Sequence, residues 1–442
     1  MKIMKFGGTS VGSAERMGAV SQLLPTQEPV IVVLSAMSGT TNHLVQIGQQ
    51  LAQQDQAQAE RLTSQLEDRY KQVITELYKQ DASKHKAKQV IDTTFQDIRA
   101  CFGTPFTPAS EKIILAQGEL LSTQLFQIYQ EEQGTPSVLL PALEFMRITE
   151  EEEPDQAYIR EKLLQQLAQY PDNQLFITQG YICRNAQGQI DNLKRGGSDY
   201  SASIIGAALR AQEIQIWTDI DGMHNNDPRI VKDTYPIAEL SFDEAAELAY
   251  FGAKILHPSS ILPAQQFKIP VRLLNTMQPA ATGTLISSKK SGNSIKAVAA
   301  KDGITAIKIK SSRMLLAYGF LRSVFEVFER FKTPIDMITT SEVAVSLTID
   351  NDTHLSAITD ALQRFGSVEI DTDLSIICVV GDFMEDKPGD ALRVMQSLKD
   401  IPLRMISYGG SKNNISLLVN TSQKNNALLA INEGVFQERR LS

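Results

Sequence analysis

"IMKFGGTSVGS", Ile3 to Ser13, sets a short apolar run against a glycine-rich turn, with Lys5 standing ahead of the glycines. The familiar phosphate loop, G-x-x-x-x-G-K-[ST], has the opposite order, with its lysine after the glycines and at the start of a helix. Here Lys5 falls near the end of a predicted strand, and Gly7, Gly8, Thr9 and Ser10 follow it. A strand that ends in a glycine turn and then a helical pattern (Ser13 to Leu24) is the first unit of an α/β alternation.

That alternation continues. The runs "KIMKF", "VIVVL", "SVLL", "LFITQG", "IQIWTD" and "VRLL" read as strands, with amphipathic stretches between them up to about residue 275. Unbroken hydrophobic strands alternating with helices predict a mostly parallel sheet covered on both faces. Ser241-Phe242-Asp243-Glu244 is a capping box that opens one helix, and Gly252 is suited to close it. The Gln-rich stretch 46–96 reads as long surface helices without chemistry.

The Gly-, Ser- and Pro-rich stretch "PAATGTLISSKKSGNS" (279–294) marks a boundary. The expected division is a catalytic domain over 1–278, a linker over 279–300, and two small modules over 301–371 and 372–442. "DMITTSEVAVSLTID" from Asp336 and "RMISYGGSKNNISLLVN" from Arg404 align with their Met-Ile pairs 68 residues apart. Because the order of elements repeats as well, the modules read as duplicated βαββαβ units of ferredoxin-like type.

The 442 residues suffice for two to four domains, and 42% hydrophobic with 21% charged residues is ordinary for a globular protein. A formal charge of −8 argues against a nucleic-acid or anionic-membrane surface. Cys101, Cys183 and Cys378 are odd in number and share no C-x-x-C spacing, so neither a disulfide framework nor a zinc site is expected. With no signal peptide and no apolar run of spanning length, a cytoplasmic location is expected.

Further loops follow strands or open helices: "SAMSGTTN" from Ser35, "QGELLST" from Gln117, "KRGGSDYSA" from Lys194, "WTDIDGMHNNDPR" from Trp217 and "FGAKILHP" from Phe251. In an open α/β sheet such loops meet at the carboxyl ends of the strands. Together with "KFGGTSV", they resemble the motif set of the aspartate kinases. That family has the amino-acid kinase fold, an α/β three-layer sandwich, followed by paired ACT modules.

The resemblance implies ATP-dependent phosphorylation of the aspartate side chain, with Mg²⁺ riding mostly on phosphate oxygens. A carboxylate is already ionised at neutral pH, so no general base is required, and cations with backbone N–H donors should dominate the site. Lys5 is then expected to reach the transferring phosphoryl group, with Gly7, Gly8 and the following helix start donating N–H groups beneath it. Arg195 would clamp the α-carboxylate of aspartate and Glu119 would face its ammonium, while Ser35 and Thr41 supply hydroxyls. Asp199 would orient Lys5 and the substrate ammonium. Thr218, Asp219, His224, Arg229 and Lys254 correspond to ATP-holding positions. His224 departs from a frequent Tyr, Gln117 from a frequent His and Ala317 from a frequent Ser; His257 reads as structural.

In the first module the resemblance implies an amino-acid effector site, lysine favoured, at Met314, Ala317, Phe320, Leu321, Asp336, Thr340, Ser341 and Glu342. Asp336 and Glu342 would accept from its ammonium groups; otherwise they are solvated charges on modules that only dimerise the enzyme. A homodimer through these modules is expected. With the sequence ending at Ser442, soon after the second module, a monofunctional enzyme without a fused dehydrogenase domain is expected. Two alternatives remain: a kinase of another small carboxylate, or an amino-acid sensor with a dead kinase domain.

Overall fold

The computed structural model describes residues 1–25, 27–193, 196–252, 256–289, 295–311, 318–383 and 389–437. Arg195, Lys254, Met314 and Ala317 lie outside them. The chain divides into two compact units: Met1–Met223 with Ala238–Phe242 and Leu256–Lys290, and His224–Ile237 with Asp243–Ile255 and Ser291–Ser442.

The first unit carries β1 (Lys2–Phe6), β2 (Val30–Leu34), β3 (Val138–Leu140), β4 (Leu175–Gln179), the hairpin β5 (Ile182–Arg184) and β6 (Ile190–Asn192), β7 (Glu213–Thr218), β8 (Glu239–Ser241), β9 (Val271–Asn275) and β10 (Thr284–Ser287). Its helices are α1 (Ala14–Leu23), α2 (Thr40–Ala52), α3 (Gln56–Leu77), α4 (Asp81–Ala100), α5 (Pro108–Glu132), α6 (Ala142–Phe145), α7 (Gln156–Leu167) and α8 (Gly197–Leu209). Next come α9 (Phe242–Tyr250), most of which belongs to the second unit, and α10 (Leu262–Gln266) in the first.

Eight strands form one sheet in the order β3-β4-β2-β1-β7-β9-β10-β8, and among these pairings only β9–β10 is antiparallel. All five residues of "VIVVL" are buried, because helices cover both faces. β1 lies between β2 and β7, with Lys5 level with Val33 and Ile216. The strands flanking β1 run parallel to it, so the turns after Phe6, Leu34, Gln179 and Thr218 open at one edge of the sheet. Trp217 is core, 6% exposed and stacked on Phe6.

The second unit adds β11 (Ile295–Lys310), β12 (Ile338–Thr340), β13 (Ala344–Ile349), β14 (Ser367–Gly381), β15 (Met405–Tyr408) and β16 (Asn414–Asn420), in the sheet order β12-β13-β11-β14-β16-β15. Its further helices are α11 (Phe320–Arg330), α12 (Leu355–Gln363), α13 (Asp390–Ser397) and α14 (Lys424–Ile431). The two repeated segments are both antiparallel hairpins, β12–β13 and β15–β16.

The modules are joined differently from the expected tandem. β11 and β14 run through both of them: 304–310 pairs with 367–374, and 295–301 pairs with 376–381. Residues 295–300, expected in a linker, are therefore a strand of the second module, so the first module is inserted within the second. Residues 284–287 of the same linker are β10, an integral strand of the first unit. The Gly/Ser-rich composition that suggested a loop is outweighed by alternating apolar residues, with Thr284 and Ile286 fully buried.

Candidate active site

At the carboxyl edge of the first unit's sheet lies a cleft of about 500 Å³ lined by Gly8, Thr9, Ser35 to Gly39, Thr41, Asn42, Glu119, Tyr181, Gly197 and Ser198. It joins five segments that are far apart in sequence: four follow a strand or open a helix, and Glu119 comes from within α5.

Lys5 is nine-tenths buried, and its Nζ lies 2.7 Å from Asp199 Oδ1, a close ion pair whose angles fall short of a hydrogen bond. Asp199 sits in the first turn of α8, where the helix dipole favours a carboxylate. Gly196 caps that helix at φ 72°, and a Cβ there would come within 2.8 Å of Ser260 Cβ, so only glycine fits. His257 accepts from the Ser259 N–H at the start of a 3₁₀ turn, a capping role.

The turn after β1 works differently from the sequence expectation. The Gly7 N–H is taken by the Trp217 carbonyl at 3.2 Å, so it is not available to a phosphate. The helix does not follow directly either: Ser10 and Val11 fold back onto the Gly7 carbonyl, and α1 starts only at Ala14. Gly8 serves close packing, since a Cβ there would lie 2.9 Å from the Ala36 carbonyl oxygen, and its own carbonyl accepts from Ser38 N–H.

Glu119, from the middle of α5, is 3% exposed. Its Oε1 accepts from Ala36 N–H at 3.2 Å, while Oε2 is buried with no partner. Burial pushes this carboxyl up to about 8, although the Ala36 N–H and the Lys5 charge pull the other way. An unsatisfied carboxylate oxygen facing a cleft, with a lysine near enough to be felt, suits a small ligand that brings a cation. Ser35 Oγ donates to Ser198 Oγ at 2.9 Å, and its carbonyl accepts from Ser122 Oγ. Thr41 lines the same cleft.

Of the expected ATP residues, Thr218 ends β7 in this unit and Asp219 follows it, with Thr218 Oγ1 donating to Asp219 at 3.1 Å. His224 and Arg229 belong to the second unit. There His224 Nδ1 lies 2.9 Å from Thr234 Oγ1, and Arg229 grips Asp227 through Nε and Nη2. The guanidinium holds the Asp227 carboxyl below its ordinary value.

In the second unit, Thr340 and Ser341 share a cavity of about 590 Å³ with Lys308, Lys310 and Val343. Asp336 is not among its lining residues. Its side chain is fully buried, accepting from Tyr250 Oη at 2.6 Å and Lys301 Nζ at 3.0 Å, with Oδ2 unpartnered. It is thus not a solvated charge. Glu342 is exposed, α11 opens at Phe320 after Gly319 at φ 81°, and Leu321 is exposed.

Sequence reasoning missed Tyr181. It lines the cleft directly after Gly180, in a left-handed conformation (φ 66°), with its N–H bound to Ser201 Oγ. Its position just past the end of a parallel strand was the available signal.

Residues 1–275 match the amino acid kinase family and 377–435 an ACT domain. The chain is 33% identical over 464 residues to Aspartokinase 3, chloroplastic, of Arabidopsis thaliana, covering 98% of this chain and 81% of that protein. It is 32% identical over 449 residues to lysine-sensitive aspartokinase 3 of Escherichia coli K12, covering 98% and 99%. Its fold superposes on E. coli aspartokinase III in complex with aspartate and ADP (R-state) with TM-score 0.84 at 31% identity, over 99% of this chain and 100% of that one. For the complex with lysine and aspartate (T-state) the TM-score is 0.81, at the same identity and coverage. Among the described residues no helix is long and apolar enough to cross a membrane.

Proposed function

The chain belongs to the aspartokinase family, and from that membership we propose how its residues divide the work of phosphorylating aspartate with ATP. The observation that carries the assignment is the buried, unpartnered Oε2 of Glu119 beside the Lys5–Asp199 pair. Glu119 takes the α-ammonium of aspartate, and Ser35 and Thr41 give it hydroxyl contacts. Arg195 holds the α-carboxylate. The β-carboxylate is then free to face the phosphoryl donor, and Lys5, held by Asp199, stabilises the negative charge that develops between the two anions.

Thr218 and Asp219 meet the nucleotide, with His224, Arg229 and Lys254 assigned to it by family resemblance. Mg²⁺ supplies charge neutralisation on phosphate oxygens when bound. The exposed carboxylate of Asp219 is an oxygen donor of the hard type that this ion takes. Gly8 keeps the turn after β1 close to the aspartate loop, and its N–H is assigned to the phosphates by family resemblance.

The regulatory reading is feedback by lysine at the first ACT-type module, through Met314, Ala317, Phe320, Leu321, Asp336, Thr340, Ser341 and Glu342, in a homodimer formed by these modules. Its support is the likeness to the lysine-sensitive E. coli enzyme. Three free cysteines accord with a cytoplasmic, reduced setting.

The test is initial rate with a panel of small carboxylic acids, the acyl phosphate being trapped as a hydroxamate. Aspartate should be turned over and N-acetylglutamate should not; the reverse would overturn the assignment of Glu119 to an ammonium. Adding lysine, threonine and methionine singly should show inhibition by lysine, and inhibition by threonine alone would remove the regulatory reading.

A further inference from the structure

The Gln-rich helices α3 and α4 look like surface packing, yet α3 reaches the cleft. Arg69 Nη2 donates to the Ser38 carbonyl at 2.7 Å, and Tyr70 Oη shares a 2.9 Å hydrogen bond with Thr40 Oγ1. Ser38 lines the cleft, and Thr40 is the first residue of α2, directly before Thr41. We propose that Arg69 and Tyr70 are positioning residues that set the aspartate-contacting loop, acting through Ser38 and Thr40. The proposal rests on the assignment of residues 35–41 to aspartate.

Three features make this more than incidental packing. First, the loop turns into α2 through Gly39 at φ 78°, and α2 has no side-chain cap, so its entry is fixed from outside the helix. Arg69 covers that turn, with Nη1 3.4 Å from where a Gly39 Cβ would stand. Second, the other sides of the loop are already held, by the Gly8 carbonyl at Ser38 N–H and by Gly118, where a Cβ would come within 2.8 Å of Ala36 Cβ. The α3 contacts close the remaining side.

Third, α3 is locked in rotation about its axis. Arg99 of α4 binds Glu60 and Glu67 of α3 at 2.8 Å each, and the buried Tyr70 ring packs against Phe95. Glu67 is engaged by Arg99 and Lys71, and Asp68 faces Lys71, so the carboxylates next to Arg69 in sequence lie elsewhere. Among the described residues Arg69 makes no ion pair. Its bond to a backbone carbonyl is charge-assisted and fixes one peptide plane of the loop.

The test is steady-state kinetics and thermal melting of Arg69→Gln, Arg69→Lys and Tyr70→Phe, with Thr41→Val as a probe of the loop itself. Losing a charge-assisted contact should raise the KM for aspartate on the order of tenfold in Arg69→Gln. KM for ATP should stay within about twofold and Tm should barely move, since Arg69 is only half-buried. Arg69→Lys, which keeps one donor and the charge, should recover most of the loss. Tyr70→Phe should show the same selectivity for aspartate.

An unchanged aspartate KM in Arg69→Gln, or equal rises for both substrates with a fall in Tm, would overturn the proposal. Thr41→Val separates the two levels. If it raises the aspartate KM while Arg69→Gln does not, the positioning role alone fails; if neither does, the loop assignment fails too.

Discussion

Lys5 and Asp199 are far apart in the first unit's sequence and meet at 2.7 Å, the lysine near the end of β1 and the aspartate in the first turn of α8. The pair is partly shielded, with side-chain exposures of 11% and 16%. In such a place a charge is less screened than on the surface, and an anion entering the cleft meets a cation that is already oriented.

Lys5→Ala should therefore lower kcat by roughly a hundredfold or more while leaving the fold intact, the loss seen when a transition-state donor is removed. Asp199→Asn should give a smaller loss, because it frees Lys5 without deleting it. A Lys5→Ala enzyme with normal kcat and only a raised KM would place the lysine in ground-state binding.

Glu119 gives a pH signature. Burial raises its carboxyl to about 8, so near neutrality the empty site holds it protonated, and an ammonium ligand must displace that proton. Aspartate KM should fall as pH rises from about 6.5 to 8.5, and Glu119→Gln should flatten this dependence while raising KM. Stability runs the other way. Between the unfolded value and about 8 the folded state binds the extra proton, so this residue makes the protein less stable as pH rises. Melting curves should show Glu119→Gln gaining on the wild type at pH 9 and losing that gain near pH 5.

Gly8→Ala tests the contact between the β1 turn and the aspartate loop. The new methyl would stand 2.9 Å from the Ala36 carbonyl oxygen, which belongs to backbone and cannot swing aside. A kcat/KM loss of roughly tenfold or more is expected, with a lowered Tm. Gly18→Ala on α1 is the control: its methyl would meet only Tyr129 Oη, at 3.4 Å, and better helix propensity should raise stability by roughly 0.5–1 kcal/mol.

Much of this was legible from the sequence because period and punctuation agreed. "KIMKF" and "VIVVL" are β1 and β2 residue for residue, and the Met-Ile repeat marks two matching hairpins. What was not legible depended on contacts between distant segments. That Gly7 donates to Trp217, rather than to phosphate, follows from β1 and β7 being neighbours, which no local pattern encodes. The insertion of one module in the other rests on β11 and β14 each crossing both, past register irregularities near Gly303 and Asp373 that no local pattern marks as continuous strand. Arg69 and Tyr70 were hidden by composition, since a Gln-rich helix shows its function only where it touches Ser38 and Thr40.

The last expectation concerns Asp336, which the regulatory reading gives to the lysine ligand. The side chain is buried, and two of the molecule's own donors, Tyr250 and Lys301, already hold Oδ1; Lys301 also binds Asp350 at 2.7 Å and lies over the Tyr250 ring. An incoming ammonium must use the unpartnered Oδ2 or displace one of these donors. Burial and the carboxylate keep the Tyr250 phenol protonated well beyond physiological pH, so it is a donor throughout. If the inhibited state breaks this bond, deleting the hydroxyl removes something lysine must overcome, and a neutral-to-charged hydrogen bond is worth roughly 1.5–3 kcal/mol before solvent competes. Tyr250→Phe should therefore lower the lysine concentration for half-inhibition several-fold, with aspartate and ATP kinetics unchanged when lysine is absent. Asp336→Asn should raise it, and Glu342→Ala should raise it without altering the Tyr250 contact. Inhibition curves on the three variants decide the matter: weaker inhibition in Tyr250→Phe would mean that the tyrosine acts with the effector, and unchanged curves in all three would take Asp336 and Glu342 out of lysine binding.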